Sequence, residues 1–250
     1  MKKIALMYHD VYRELDTESG LEILGANLYK INIAKFEEHV QLTHNYCTQK
    51  GIPKDSIEFT FDDGGESFYS VIAPILEKYG FTGVFFISTA YIGSSKFLAI
   101  EQVKSLHDRG HVIASHSHSH PCNMTKLSVE ELISEWETSI GILEQIIQEP
   151  VTVASIPSGF YSKKVVEAAS IAGIKKLYTS KPTSKISIVK NITLIGRYVV
   201  HQNTTLSTIN DIISNSWVRR GLFIRWMLVR MAKCLLGDNY IRFKDWIIRQ

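Results

Sequence analysis

Short apolar runs alternate with stretches of helical period along most of this chain, and that rhythm constrains the fold more than any single motif. Runs at residues 4–8, 57–61, 83–87, 111–114, 152–156, 176–179 and 194–199 read as strands. Stretches at 33–50, 67–79, 100–109, 128–148, 162–172 and 207–216 read as helices. Ser128 with Glu131 makes a capping box that starts the fourth of these. Strand followed by helix, repeated, predicts an α/β domain on a parallel sheet. Seven strands suit a closed or nearly closed barrel better than two small domains. The chain has 250 residues, 45% of them hydrophobic, which suffices for one well-buried core. No linker-like, repetitive or low-complexity tract interrupts the pattern.

Two regions fall outside the rhythm. Residues 13–32 are polar, contain Gly20 and Gly25, and read as a long loop of the kind that often carries function. The second is the tail. Residues 217–250 hold eight Lys/Arg against two Asp/Glu, a net +6 in a chain whose formal total is only +3. That small total gives no reason to expect nucleic-acid binding. Residues 216–237 have helical periodicity, with Phe223, Ile224, Met227, Met231, Cys234 and Leu235 grouped and Arg219, Arg225, Arg230 and Lys233 largely opposite. Gly237 is placed to end that helix. Such a basic amphipathic helix either lies in a membrane interface or packs on the barrel with its basic face in water.

Cys47, Cys122 and Cys234 are too few and too scattered for a disulfide framework, which fits a reducing compartment. The opening MKKIALMYHDV reads as a first strand rather than a signal peptide, because its apolar run stops at His9, short of about 7–15 residues. The expectation is a cytoplasmic protein, at the inner face of the membrane if the tail helix touches lipid.

Chemistry concentrates in two motifs. FTFDDGG places Asp62 and Asp63 at the end of a predicted strand, followed by Gly64 and Gly65 for a sharp turn. The carboxyl end of a parallel strand is where α/β folds build their sites. Adjacent residues on an extended chain face opposite sides, so one carboxylate can bind a cation while the other stays free as a base. An ordinary Asp-Gly turn capping the next helix is the plainer alternative. SHSHSHP packs His116, His118 and His120 after another predicted strand. Two imidazoles with one carboxylate form a three-ligand set with an open position, which suits catalytic zinc and also non-haem iron. His118 reads as an outer or solvated residue.

Taken together, these motifs resemble the polysaccharide deacetylases, the NodB-homology carbohydrate esterases of family 4. TFDDG stands at residues 60–64 and the His-Ser/Thr-x-x-His-Pro motif at residues 116–121. The resemblance covers residues 1–205 and implies a distorted (β/α)7 barrel, with residues 206–250 as a basic helical extension. It implies that Asp63, His116 and His120 bind the metal, zinc or another divalent transition ion, and that Asp62 is the general base. In a third motif, SIPSGFYS, Pro157 and Gly159 match, and the backbone N–H of Ser158 is placed as the oxyanion donor. Ser158 stands where members carry an aromatic residue. Ser155 stands where many carry an arginine that anchors the base, and Arg197 is a candidate substitute. For the general acid there are two positions. His201 lies in a late segment. His9, in LMYHDV, looks like the version of a circularly permuted branch similar to poly-N-acetylglucosamine deacetylases, and is preferred. Tyr8, Tyr12, Tyr29, Phe160 and Tyr161 are candidate sugar-facing rings. The implied reaction is N-deacetylation of an amino-sugar glycan or its lipid-linked precursor. A deformylase, an O-deacetylase and a carbohydrate-binding pseudoenzyme are the rivals. The oligomeric state is open.

Overall fold

The computed structural model describes residues 3–22 and 25–236. Its centre is a curled sheet. The strands in chain order are β1 (Ile4–Tyr8), β2 (Val11–Tyr12), β3 (Ile31–Asn32), β4 (Ile57–Phe61), β5 (Gly83–Ile87), β6 (Val112–Ser115), β7 (Val153–Ser155), β8 (Lys176–Thr179), β9 (Ser187–Val189), β10 (Ile192–Gly196) and β11 (Tyr198–Val199). The main sheet runs β11-β1-β4-β5-β6-β7-β8-β10-β9, and only the β9–β10 pair is antiparallel. β2 and β3 form a separate short parallel pair. Helices α1 (Ile33–Lys50), α2 (Ala73–Lys78), α3 (Ile100–Asp108), α4 (Val129–Ile147), α5 (Lys163–Ile171), α6 (Leu206–Ser214) and α7 (Ser216–Leu236) complete the fold.

This is the expected α/β barrel fold, in the form of a curled, mostly parallel half-barrel. The runs at 4–8, 57–61, 83–87 and 176–179 are strands to the residue. Strands covered on both faces read as nearly continuous apolar runs, interrupted here only by Glu58 and Thr60 in β4 and by Lys176 and Thr179 in β8. Ala5, Val84, Phe86, Ala114, Tyr178 and Ile195 fill the concave side, while a larger apolar layer sits between sheet and helices. Ser128 and Glu131 cap α4 reciprocally, with bonds of 2.7 and 3.1 Å.

Three departures from the predicted pattern have physical reasons. Residues 67–79 are not one α-helix: a π-helical turn over Phe68–Ile72 precedes α2. Pro74 has no N–H to give the Ser70 carbonyl, and that carbonyl instead accepts from Arg13 Nη2 at 2.9 Å. Residues 194–199 are not one strand: β10 pairs with β8, β11 pairs with β1, and Arg197 stands between them. β10 and β11 do not pair with each other, so the barrel has a seam at Arg197. The third departure is β9, a three-residue edge strand in which Ser187 and Ile188 are exposed and only Val189 packs against the core, too short a segment to stand out as a run.

The core also runs past residue 205, since Ile209, Ile212 and Ile213 of α6 belong to it. Cys47 and Cys122 are free thiols. The Cys234 and Leu235 side chains and the Gly237 cap lie outside the described residues. Among the described residues, no helix is long and apolar enough to cross a membrane.

Candidate active site

Because the strands of the barrel wall run parallel, their carboxyl ends share one rim. β1 delivers His9 and Asp10 there, β4 delivers Asp62 and Asp63, β6 leads to His116 and His120, and β7 leads to Pro157. Main-chain bonds extend the ladders into the site: Asp62 N donates to Tyr8 O at 3.1 Å and His116 N to Ile87 O at 2.9 Å.

The Asp63, His116 and His120 ligand atoms all lie within 4.8 Å of one another. Asp63 Oδ1 is 3.5 Å from His116 Nε2 and 3.3 Å from His120 Nε2. Two imidazoles and a carboxylate so convergent fit a divalent transition ion with positions left open for water and substrate. Asp62 lies outside that trio but near it, with Oδ2 3.9 Å from His116 Nε2. The two aspartates therefore do not face opposite sides. Asp63 has φ 88°, in the left-handed region rather than extended, and this turns its carboxylate back toward the histidines. His120 at φ 54° is likewise off the common regions, and strain of this kind clusters at functional sites. The loop that carries His120 is held by Glu135 of α4, whose Oε2 accepts the His118 and Ser119 amides at 3.0 and 2.9 Å. His118 is turned to Thr89 Oγ1, at 2.9 Å, and is not in the trio.

Arg197 is fully buried at the seam and forks onto Asp62, with Nη1–Oδ1 at 2.5 Å and Nη2–Oδ2 at 2.7 Å. Its guanidinium also lies 5.1 Å from the centre of the Phe86 ring. So enclosed, it orients a carboxylate rather than meeting substrate. Burial raises the pKa of Asp62, but the Arg197 charge and fork outweigh this and leave it below the usual carboxylate range. For Asp63, burial also raises, and the hydrogen bonds from His116 and His120 win, holding it well below that range. His120 balances burial, which lowers it, against the bond to Asp63, which raises it, and ends above its ordinary value.

Ser155 connects the two halves. His116 Nδ1 lies 3.1 Å from the Ser155 carbonyl and 2.6 Å from its Oγ. A carbonyl only accepts, so Nδ1 carries a proton, and Nε2, which faces Asp63, is the nitrogen available to a metal ion. Ser155 Oγ in turn donates to Asp62 Oδ1 at 3.3 Å. Ser155 entered the sequence reading only as a missing arginine. With that arginine absent, a small residue leaves room for an arginine arriving from the other side of the barrel.

His9 is partly buried, and its Nδ1 has no hydrogen-bond partner. Burial lowers its pKa, and the charges of Asp63 and Asp62 partly restore it. The Tyr29 ring lies 4.6 Å from His9 and 4.9 Å from the exposed His201, between the two histidines. Tyr29 comes from the long 13–32 loop. Tyr8 is not a sugar-facing ring: it is fully buried and bonds His39. On the opposite side, Pro157 is buried and Ser158 exposed, with φ 54°. Phe160 and Tyr161 follow at partial exposure, as does Tyr12 elsewhere.

The sequence profile of the family described as Polysaccharide deacetylase matches residues 49–177, just over half of the chain. The chain belongs to this family. Its relatives include a putative polysaccharide deacetylase, YxkH, of Bacillus subtilis, 27% identical over 191 residues, 71% of this chain and 64% of that protein. A chitin deacetylase of Arthroderma benhamiae is 31% identical over 103 residues, 41% of this chain and 26% of the fungal one. The chain thus spans less than two thirds of the length of these curated relatives. Among solved structures, the deacetylase PplD of Streptococcus pyogenes superposes with a TM-score of 0.70 at 21% identity, covering 86% of this chain and 99% of its own. IcaB from Ammonifex degensii follows at 0.66 and 17%, covering 83% and 95%. These likenesses show the polysaccharide-deacetylase fold. The profile includes β4 with its acid pair and the whole histidine segment, but stops short of Arg197 and begins after His9.

Proposed function

We propose that this family member is a metal-dependent hydrolase that removes N-acetyl groups from the amino sugars of a polysaccharide or of a lipid-linked glycan precursor. The observation that carries the reading is the unequal treatment of two adjacent aspartates. Asp63 converges with His116 and His120, whereas Asp62 is gripped by Arg197 and kept beside that trio. A chain that needed only a turn there would have no use for a buried arginine fork on one acid and two imidazoles on its neighbour.

Asp63, His116 and His120 would hold a divalent ion such as zinc, which when bound polarises an acyl carbonyl and acidifies water. Asp62, low in pKa and ionised, is the group suited to take a proton from the attacking water. The Arg197 fork fixes its direction. The Ser158 amide is the candidate donor to the developing oxyanion. His9 is the candidate to protonate the leaving amine, with its ring orientation set by Tyr29. The chitin deacetylase among the relatives supports an amino-sugar substrate.

The test is a paired one. Metal content and acetate release are measured on N-acetylated oligosaccharides for the wild type and two variants. Asp63→Ala should lose metal and activity together. Asp62→Asn should keep the metal and lose activity by about a hundredfold or more. Formate in place of acetate would redirect the reading to a deformylase, and release from an O-acetylated sugar alone to an esterase. A wild type without bound metal and without acyl release would leave a carbohydrate-binding protein.

A further inference from the structure

Helix α7 has two faces that the sequence pattern did not separate. Leu222, Phe223 and Trp226 are partly buried, and Leu222 packs on the main core. Arg219 Nη1 donates to the Ile212 carbonyl at 2.6 Å, and Lys181 sits 5.3 Å over the Phe223 ring. These residues turn α7 toward the body. Trp217, Ile224, Leu228 and Met231 point away, at 74, 51, 57 and 55% exposure. At 100° per residue these four positions fall within an arc of about 60°. Phe223 and Ile224, which the periodicity grouped together, therefore lie on different faces.

The charges around this stripe have one sign. Residues 216–236 contain five Lys/Arg and no Asp/Glu. On the same wheel Arg220 and Arg225 flank the stripe on either side, and Arg220 lies 4.9 Å over the Trp217 ring. Beneath the helix is a cavity of about 750 Å³, walled partly by Lys181, Lys185, Arg219 and Arg220. Among the described residues, no acidic residue lines it. An exposed apolar stripe edged by cations, with an indole at one end, complements the boundary between acyl chains and anionic headgroups. It is poorly matched to a second copy of itself, which would bring arginine against arginine.

We infer that α7 docks this protein on an anionic lipid surface, with Trp217, Ile224, Leu228 and Met231 entering the interface and Arg220 and Arg225 meeting the headgroups. The helix is held to the body by its other face, so docking leaves the barrel in water. Gly159 and Tyr161, next to the Ser158 turn, share the wall of the cavity with α7. A docked protein therefore keeps that side of the site close to the membrane. The inference does not depend on the reaction catalysed.

Cosedimentation of the full chain with vesicles tests it. The wild type should bind vesicles of phosphatidylcholine mixed with phosphatidylglycerol and bind phosphatidylcholine alone far less. Replacing Trp217, Ile224, Leu228 and Met231 together by Ser should weaken binding at least about tenfold. The melting temperature should hold, since these side chains are exposed. Arg220→Glu with Arg225→Glu keeps the stripe and should abolish the preference for phosphatidylglycerol. Failure of the wild type to bind anionic vesicles would overturn the inference, as would vesicle binding unchanged in both variants. So would a wild-type dimer that the Ser variant dissociates, because the stripe would then be covered by a second copy.

Discussion

Asp62 and Asp10 are both buried aspartates just beyond the ends of neighbouring strands, and they are stabilised in opposite ways. Asp62 faces a guanidinium fork and is ionised more easily than a free aspartate. Asp10 receives hydroxyls: Ser19 Oγ and Ser67 Oγ both donate to its Oδ1, at 2.7 and 2.9 Å. Burial, with the nearby Asp63 charge adding to it, pushes Asp10 up to about 6, and the two hydroxyls and the more distant Lys30 charge recover only part of that. A full charge at contact outweighs desolvation, whereas neutral donors do not. The consequence is a division of labour at one rim. Asp62 is kept ionised, as the base of the proposed reaction would have to be. Asp10 is a structural joint that ties the 13–32 loop, and hence Tyr29, to the turn after the acid pair.

The largest effect should come from removing the fork. Arg197→Ala strands a buried carboxylate without its partner, and loss of one member of such a pair costs about 3–5 kcal/mol. Urea denaturation measures it. Combining Arg197→Met with Asp62→Asn removes both charges and should recover much of the loss. If the double variant is no more stable than Arg197→Ala, the pair is not the reason Asp62 tolerates burial.

Asp10 should give a pH dependence of the opposite sense from a salt-bridged aspartate. Its folded-state pKa, about 6, lies above the unfolded value of 3.8, so the folded state holds the proton more tightly. Its stabilising contribution is full below about pH 4 and is lost as the pH rises through about 6. A gap of about two pH units corresponds to about 3 kcal/mol. Asp10→Asn should flatten that part of the stability profile, read as the wild-type-minus-variant difference in urea unfolding between about pH 4 and about pH 7. A difference that does not change with pH would mean that Asp10 is ionised throughout.

The glycines around Asp10 sharpen the same contrast. A Cβ at Gly65 would lie 1.9 Å from Asp10 Oδ1, and one at Gly20 would lie 1.7 Å from Oδ2. Gly65 is thus needed for close approach, not only for the turn. Gly65→Ala should cost about 1–3 kcal/mol by overpacking. Adding Asp10→Ala should return part of that loss, because the clash partner is gone. Purely additive losses in thermal or urea unfolding would show that the carboxylate is not what Gly65 accommodates.

What could be read in the sequence follows from how locally each feature is encoded. Strands covered on both faces announce themselves as mostly apolar runs, so six of them, and a barrel-like parallel sheet, were legible, while the seventh run divides into β10 and β11. Asp62, Asp63, His116 and His120 lie in short segments next to such runs, so their residue types and positions were visible together. Their geometry was not. The alternation rule sends Asp62 and Asp63 to opposite sides, and the φ of Asp63 defeats it. Arg197 could be singled out only as a guess, because its reach to Asp62 depends on a seam where one apolar run divides between two pairing partners. Asp10 gave no signal beyond its place beside His9. Its partners Ser19 and Ser67 are common loop residues, and the joint exists only once three segments meet.

The smallest effect lies where the two kinds of stabilisation meet, at Ser155. Asp62 also has one neutral donor, Ser155 Oγ, and the same oxygen lies 2.6 Å from His116 Nδ1. If the Arg197 charge governs Asp62, Ser155→Ala should leave stability nearly unchanged. The His116 ring would keep its bond to the Ser155 carbonyl, which a backbone atom supplies whatever the side chain. Loss of the hydroxyl should still loosen the imidazole and weaken metal affinity about tenfold, the lower end for groups that orient a ligand. Competition with a chelator of known affinity measures this independently of any substrate. A fall as large as that of His116→Ala would mean the hydroxyl, not the carbonyl, sets the tautomer. No change at all would mean that the carbonyl suffices, and that Ser155 is there chiefly because a small side chain lets Arg197 reach Asp62 across the barrel.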